Sequence, residues 1–120
     1  MLSVGVDIIE IDRIAQALER WGERFLAHVY TPEEIAFCRG RVPELAARFA
    51  AKEAISKALG TGLAGIAWQE MEILADPRGK PLVRLYGRAA TRAAALGLNE
   101  FAISLSHARN YAVASVVASG

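Results

Sequence analysis

Asp7 interrupts a run of Val and Ile in LSVGVDIIEI, residues 2–11. A carboxylate on an otherwise apolar strand must be paired or must bind a cation, because an unpaired buried charge is costly. A second acid, Glu53, lies in RFAAKEAISKALGTG, residues 48–62, between the cations Arg48, Lys52 and Lys57. Two carboxylates with open water positions are how proteins commonly hold Mg²⁺ beside a substrate phosphate. Arg48 offers a bidentate fork to phosphate oxygens, and the two lysines offer point charges. The combination suits a polyphosphate ligand with one ion shared by Asp7 and Glu53. The Gly60-Thr61-Gly62 run lets the backbone approach a ligand and adds a hydroxyl, although such a run also ends helices. The plainer alternatives are a strand acid satisfied by backbone N–H groups and a surface helix with Glu53 and Lys57 as an i,i+4 pair.

His107 stands where an apolar segment meets a turn, and a side-chain pKa of about 6.5 would suit a proton carrier or a phosphate hydrogen bond. His28 has no evident role. Arg13, Arg20 and Arg24 line one face of the first helical region if that helix continues through Gly22, either solvated or offered to an acidic protein partner. Trp21 and Phe25 read as core anchors.

These groups need elements to hold them. A chain of 120 residues is sized for one domain with one modest core. Its net charge of +1, from 14 basic and 13 acidic residues, does not mark a nucleic-acid binder. Cys38 is the only cysteine, so no intramolecular disulfide is possible. The N-terminal MLSVGVDIIEID carries acids where a signal peptide needs an apolar run, and no apolar run approaches the roughly 18 residues of a membrane span. A reducing cytoplasm is the expected setting, with no membrane partner.

Residues 2–11 read as a strand with Val4, Val6 and Ile8 on one face and Gly5, Asp7 and Ile9 on the other. Asp12 is placed to cap a helix carrying Ile14, Leu18 and Trp21. Thr31-Pro32-Glu33-Glu34 supplies an N-cap, a first-turn Pro and a capping-box acid. A further helix runs from near Pro43 to about Leu59, with Arg48, Glu53, Lys52, Ser56 and Lys57 on a polar half interrupted by Phe49, and alanines on the other. EMEIL and PLVRLYG then read as strands joined at Asp76-Pro77-Arg78-Gly79, and Arg88–Leu96 as an Ala-rich helix closed by Gly97. FAISLSH and YAVASVVAS form a final strand pair. The whole is one α+β domain, residues 1–120, with an antiparallel sheet packed with helices.

Five segments, GVDIIEIDRI (5–14), RFAAKEAISKALGTG (48–62), WQEMEI (68–73), GKP (79–81) and SLSH (104–107), occur in the order in which they occur in one family. The chain resembles holo-[acyl-carrier-protein] synthase over nearly its whole length. That resemblance implies a Mg²⁺-dependent 4'-phosphopantetheinyl transferase supporting fatty acid biosynthesis: a serine hydroxyl of apo acyl carrier protein attacks the β-phosphate of coenzyme A, and adenosine 3',5'-bisphosphate leaves. It implies Asp7 and Glu53 as magnesium ligands and Lys57 as a pyrophosphate contact that assists the leaving group. Arg48, Lys52, Ser56 and Thr61 are implied as further coenzyme A contacts, with Pro81 and His107 completing a pocket. Arg13 and Arg20 are candidates for docking the carrier protein. The family implies a homotrimer with sites at subunit interfaces. The alternative from another class is a non-catalytic coenzyme A or nucleotide-binding module.

Overall fold

Alternation along the first strand decides what faces the core. In the computed structural model, which describes residues 1–120, β1 (Leu2–Glu10) buries Gly5 and Ile9, while Leu2, Val4, Val6 and Ile8 stay exposed. The more apolar face of this strand therefore points outward. The reason lies in α4 (Val42–Ala58), which packs across the inner face of β1. A Cβ on Gly5 would overlap the carbonyl oxygen of Ala54, so only glycine allows the two backbones to approach this closely.

The strand at the centre of the sheet repeats the theme. β5 (Tyr111–Ser119) pairs antiparallel with β1 on one side and with β4 (Glu100–His107) on the other, with Asp7 opposite Ala114 and Ser104 opposite Ser115. Its inward residues Ala112, Ala114, Val116 and Ala118 are small and buried, as are Ala46, Ala47, Ala50, Ala51, Ala54 and Ala58 of α4. Small side chains on both surfaces let helix and sheet approach closely. Larger side chains, including Ile14, Leu45, Ile55, Leu59, Met71 and Ile103, close the core around them. Each contributes about 1.5–3 kcal/mol by leaving water.

The remaining elements wrap this centre. α1 (Ile11–Trp21) starts directly from β1 with Glu10 at its N-cap, so Asp12 lies in the first turn rather than capping the helix. The chain turns at Gly22, and α2 (Glu23–Val29) follows as a separate helix. α3 (Pro32–Cys38) carries the expected capping box between Thr31 and Glu34. A 3₁₀ turn, Trp68–Glu70, leads into β2 (Met71–Ala75), which pairs antiparallel with β3 (Pro81–Leu85). α5 (Gly87–Ala95) closes against that turn. The antiparallel strands thus form two sheets, one three-stranded and one two-stranded, rather than one. No helix is long and apolar enough to cross a membrane.

α4 differs most from expectation. It is buried on nearly all sides, because the sheet covers its alanine face while α1, α3 and β2 cover much of the other. Its Arg48, Lys52 and Ser56 are buried.

Candidate active site

β1 and α4 hold the two acids. Asp7 shares the inward-facing side of β1 with Gly5 and Ile9, and Glu53 lies on the part of α4 that crosses it. Lys57, one helical turn beyond Glu53, places Nζ 3.1 Å from Asp7 Oδ1 and donates to the Val6 carbonyl at 3.0 Å. Lys57 therefore pairs with the strand acid rather than with Glu53 along the helix. Asp7, Glu53 and Arg13 line a cavity of about 280 Å³ whose apolar walls include Ile9, Ile14, Phe25 and Phe49.

Electrostatics in this cavity favour a cation. Desolvation holds the Glu53 carboxyl above its ordinary range, and the charge of Asp7 pushes it further up, while Lys57 and Arg13 pull it down. Two carboxylates facing one partly dry space repel each other, and a divalent ion would relieve that repulsion. Asp7 and Glu53 are joined by no third His, Cys, Asp or Glu in a metal-binding group. An ion here would rest on two carboxylates and take its other oxygens from water and ligand, the pattern of Mg²⁺ beside phosphates.

A second cavity of about 430 Å³ opens where α4, β3 and β4 meet. Arg48, Lys80, Pro81 and His107 line it, with Phe37 and Glu44. Antiparallel pairing places His107 at the exposed end of β4, and Pro81 opens β3, which packs beside β4. The Arg48 guanidinium lies 4.2 Å from the centre of the Phe37 ring, and its Nε is buried with no hydrogen-bond partner. A buried unpaired donor costs free energy and calls for an acceptor of the kind a phosphate oxygen would offer, although Glu44 Oε2, on the same cavity, is also buried without a hydrogen-bond partner. The acid cavity and this basic cavity share no lining residue within one chain.

Other expected contacts lie elsewhere. Lys52, expected beside a phosphate, is fully buried and spends all three N–H donors inside the protein: on Glu34 Oε1 at 2.8 Å, the Trp68 carbonyl at 3.1 Å and the Met71 carbonyl at 2.5 Å. No donor is left for a ligand. Burial pushes its ammonium pKa down, opposed by the charge and hydrogen bond of Glu34. The Ser56 hydroxyl donates to the Glu53 carbonyl at 2.7 Å, and that of Thr61 to the Gly62 carbonyl at 2.8 Å. The amides of Thr61 and Gly62 return to the Ser56 carbonyl, so the Gly-rich run closes α4.

On the outer helices, Arg13 joins the acid cavity, while Arg20 lies one helix end away beside Trp21. Trp21 is 49% exposed and not a core anchor; Arg20 and Arg24 flank its ring at 4.9 and 6.0 Å. Phe25 does pack against the core. Sequence reasoning missed Phe49 and Phe25 as cavity walls and Glu34 as the partner of Lys52. The signal for Phe49 was its intrusion into the polar half of the helix.

Known proteins share this fold. Residues 3–116 match the model of the 4'-phosphopantetheinyl transferase superfamily. The holo-[acyl-carrier-protein] synthase of Herpetosiphon aurantiacus is 52% identical, with 100% of each chain covered. That of Dehalococcoides mccartyi (strain ATCC BAA-2266 / KCTC 15142 / 195) is 52% identical over 98% of each. The crystal structure of Helicobacter pylori holo-[acyl-carrier-protein] synthase in complex with coenzyme A superposes with a TM-score of 0.89 at 32% identity, covering 97% of this chain and 99% of that one. The Neisseria meningitidis synthase gives 0.87 at 34% identity, over 98% of each. Matched by the family model over residues 3–116 and by full-length relatives at about half identity, the chain belongs to the 4'-phosphopantetheinyl transferase superfamily.

Proposed function

We propose that this protein transfers the 4'-phosphopantetheine group of coenzyme A to a serine hydroxyl of an apo acyl carrier protein, releasing adenosine 3',5'-bisphosphate. The observation that carries the reading is the Asp7–Glu53 pair in one cavity, with Lys57 already seated against Asp7. The serine oxygen forms a bond to the β-phosphorus as the bridging P–O bond breaks, and its proton leaves to an acceptor in the cavity. Such transfers depend mainly on positioning and on charge placed around the phosphate oxygens. Asp7 and Glu53 would hold a Mg²⁺, which when bound neutralises charge on those oxygens. Lys57 moves from Asp7 to the pyrophosphate and stabilises the departing bisphosphate. Arg48, with its unpaired Nε, and Lys80, Pro81 and His107 receive the nucleotide end.

Two assemblies belong to this reading. The exposed row Leu2, Val4, Val6 and Ile8, with Val117 on the adjacent strand, is an apolar sheet face of the kind that oligomers cover. Further copies of this chain, in a homotrimer, would cover it and bring one copy's basic cavity to another's acid cavity. Arg13 and Arg20 would meet the acidic carrier protein. The cytoplasm accords with Cys38, buried and unpaired.

The test is the intact mass of an apo acyl carrier protein incubated with this enzyme and coenzyme A, with Mg²⁺ or with a chelator. A phosphopantetheine-sized gain that requires the metal is the expected result. No gain with several carriers overturns the reading and favours a coenzyme A-binding module, which has no need of paired acids.

A further inference from the structure

Lys52 immediately precedes Glu53, yet the two side chains point to different parts of the molecule. Lys52 Nζ grips both ends of the Trp68–Glu70 turn, through the carbonyls of Trp68 and Met71, and is anchored on its third side by Glu34. Glu34 is fixed in turn: its Oε1 accepts from the Thr31 amide at 2.9 Å and its Oε2 from the Ile73 amide at 2.8 Å. The same turn is also held by Gln69, whose Nε2 donates to the carbonyls of Ala27 and Tyr30. Trp68 is thus clamped between α4 and the end of α2.

The clamp reaches the acid cavity through stacked rings. Trp68 lies 4.6 Å from Phe49, centroid to centroid, at an interplanar angle of 30°. Phe49 lies 6.4 Å from Phe25, and Phe25 meets Tyr30 edge-on at 5.9 Å. Phe49 and Phe25 are walls of the cavity that holds Asp7 and Glu53. A buried ion pair is a poor source of stability compared with an apolar replacement, and its best-attested use is to fix one arrangement among several. We propose that Lys52 is a positioning residue for the transfer: paired with Glu34, it holds Trp68 against Phe49 and so fixes the aromatic wall facing the acid pair.

This rests on the transfer reading, so the experiment has one arm that needs substrate and one that does not. Lys52→Met with Glu34→Gln removes both members of the buried pair, and the nearby buried Glu72 keeps its hydrogen bonds from Thr31 and Tyr86. Parent and variant are compared in a Trp21→Phe background, which leaves Trp68 as the only tryptophan. The expected result is stronger acrylamide quenching of Trp68, together with a kcat about ten- to a hundredfold lower and a KM for coenzyme A close to the parent's. Misplacement of a wall weakens the reacting geometry more than binding of the nucleotide end, whereas general loss of structure would move both. If the double variant does not fold, Gln69→Ala loosens the same turn from its exposed side and is expected to move quenching and kcat in the same directions, by less. A folded variant with parental quenching, or with parental kcat, overturns the proposal. An inactive parent would fail the transfer reading alone, since quenching still judges the clamp.

Discussion

Two edges of α4 carry similar residues to opposite ends. Along one, Arg48, Lys52 and Ser56 are buried, and Lys52 and Ser56 are satisfied by the protein itself. Along the other, Glu53 lines a cavity shared with β1 and α1, Lys57 pairs with Asp7 of that cavity, and burial and the charge of Asp7 hold the Glu53 carboxyl above its ordinary range. The difference teaches that charge on a helix does not by itself mark a site. A satisfied buried charge builds structure, while an unsatisfied one waits for a ligand. Arg48 is the informative mixture, buried like Lys52 but with an unpaired Nε like a binding group.

The contrast can be broken by substitution. Asp7→Ala or Glu53→Ala should lower the rate of carrier modification by about a thousandfold or more, while circular dichroism reports a native fold. Mass spectrometry of the carrier reads this, and unchanged turnover in either variant would remove the acid pair from the chemistry. Next in size, Arg48→Ala should raise the KM for coenzyme A by about ten- to a hundredfold with little change in kcat, as loss of a charged hydrogen bond does. Steady-state kinetics with coenzyme A varied would expose an unchanged KM, which would return Arg48 to a purely structural role. Arg20→Glu should raise the KM for the carrier protein by about three- to tenfold, an effect that shrinks in high salt.

The smallest effect concerns stability and sharpens the contrast most directly. A carboxyl whose folded pKa is raised binds its proton more tightly folded than unfolded. It therefore costs stability above that pKa and ceases to do so as pH falls through it. Glu53→Gln should accordingly raise the Tm of the metal-free protein modestly at neutral pH, and the gain should fade on acidification from above the ordinary carboxylate range. A Tm that fell at neutral pH would mean that Glu53 is stabilised by its neighbours.

Much of this was legible in the sequence where the signal was local. The capping box at Thr31–Glu34, the turn at Asp76–Gly79 and the long helix ending before Gly60 follow from residues close in the chain. Asp7 and Glu53 stood out because each conflicts with its surroundings. Lys52 misled for a complementary reason: its partners, Glu34, Trp68 and Met71, come from segments distant in sequence, so a helical wheel shows its direction but not what covers it. Trp21 failed likewise, since a large aromatic residue is assigned to a core by habit, whereas here the helix breaks at Gly22 and leaves it outside. The division into two sheets depended on strand pairing, which no periodicity encodes.

The contact between Gly5 and the Ala54 carbonyl has a bearing on how this protein can vary. Backbone meets backbone there, so the gap between β1 and α4 is set by a hard stop rather than by the volume of whatever side chains fill the core. Asp7 lies two residues along from that stop on the strand, and Glu53 is the immediate neighbour of Ala54 on the helix. Substitutions among the surrounding Ile, Leu and Val residues can therefore tune melting temperature while the two acids keep their separation, and the spacing of the acid pair is insulated from drift in the core.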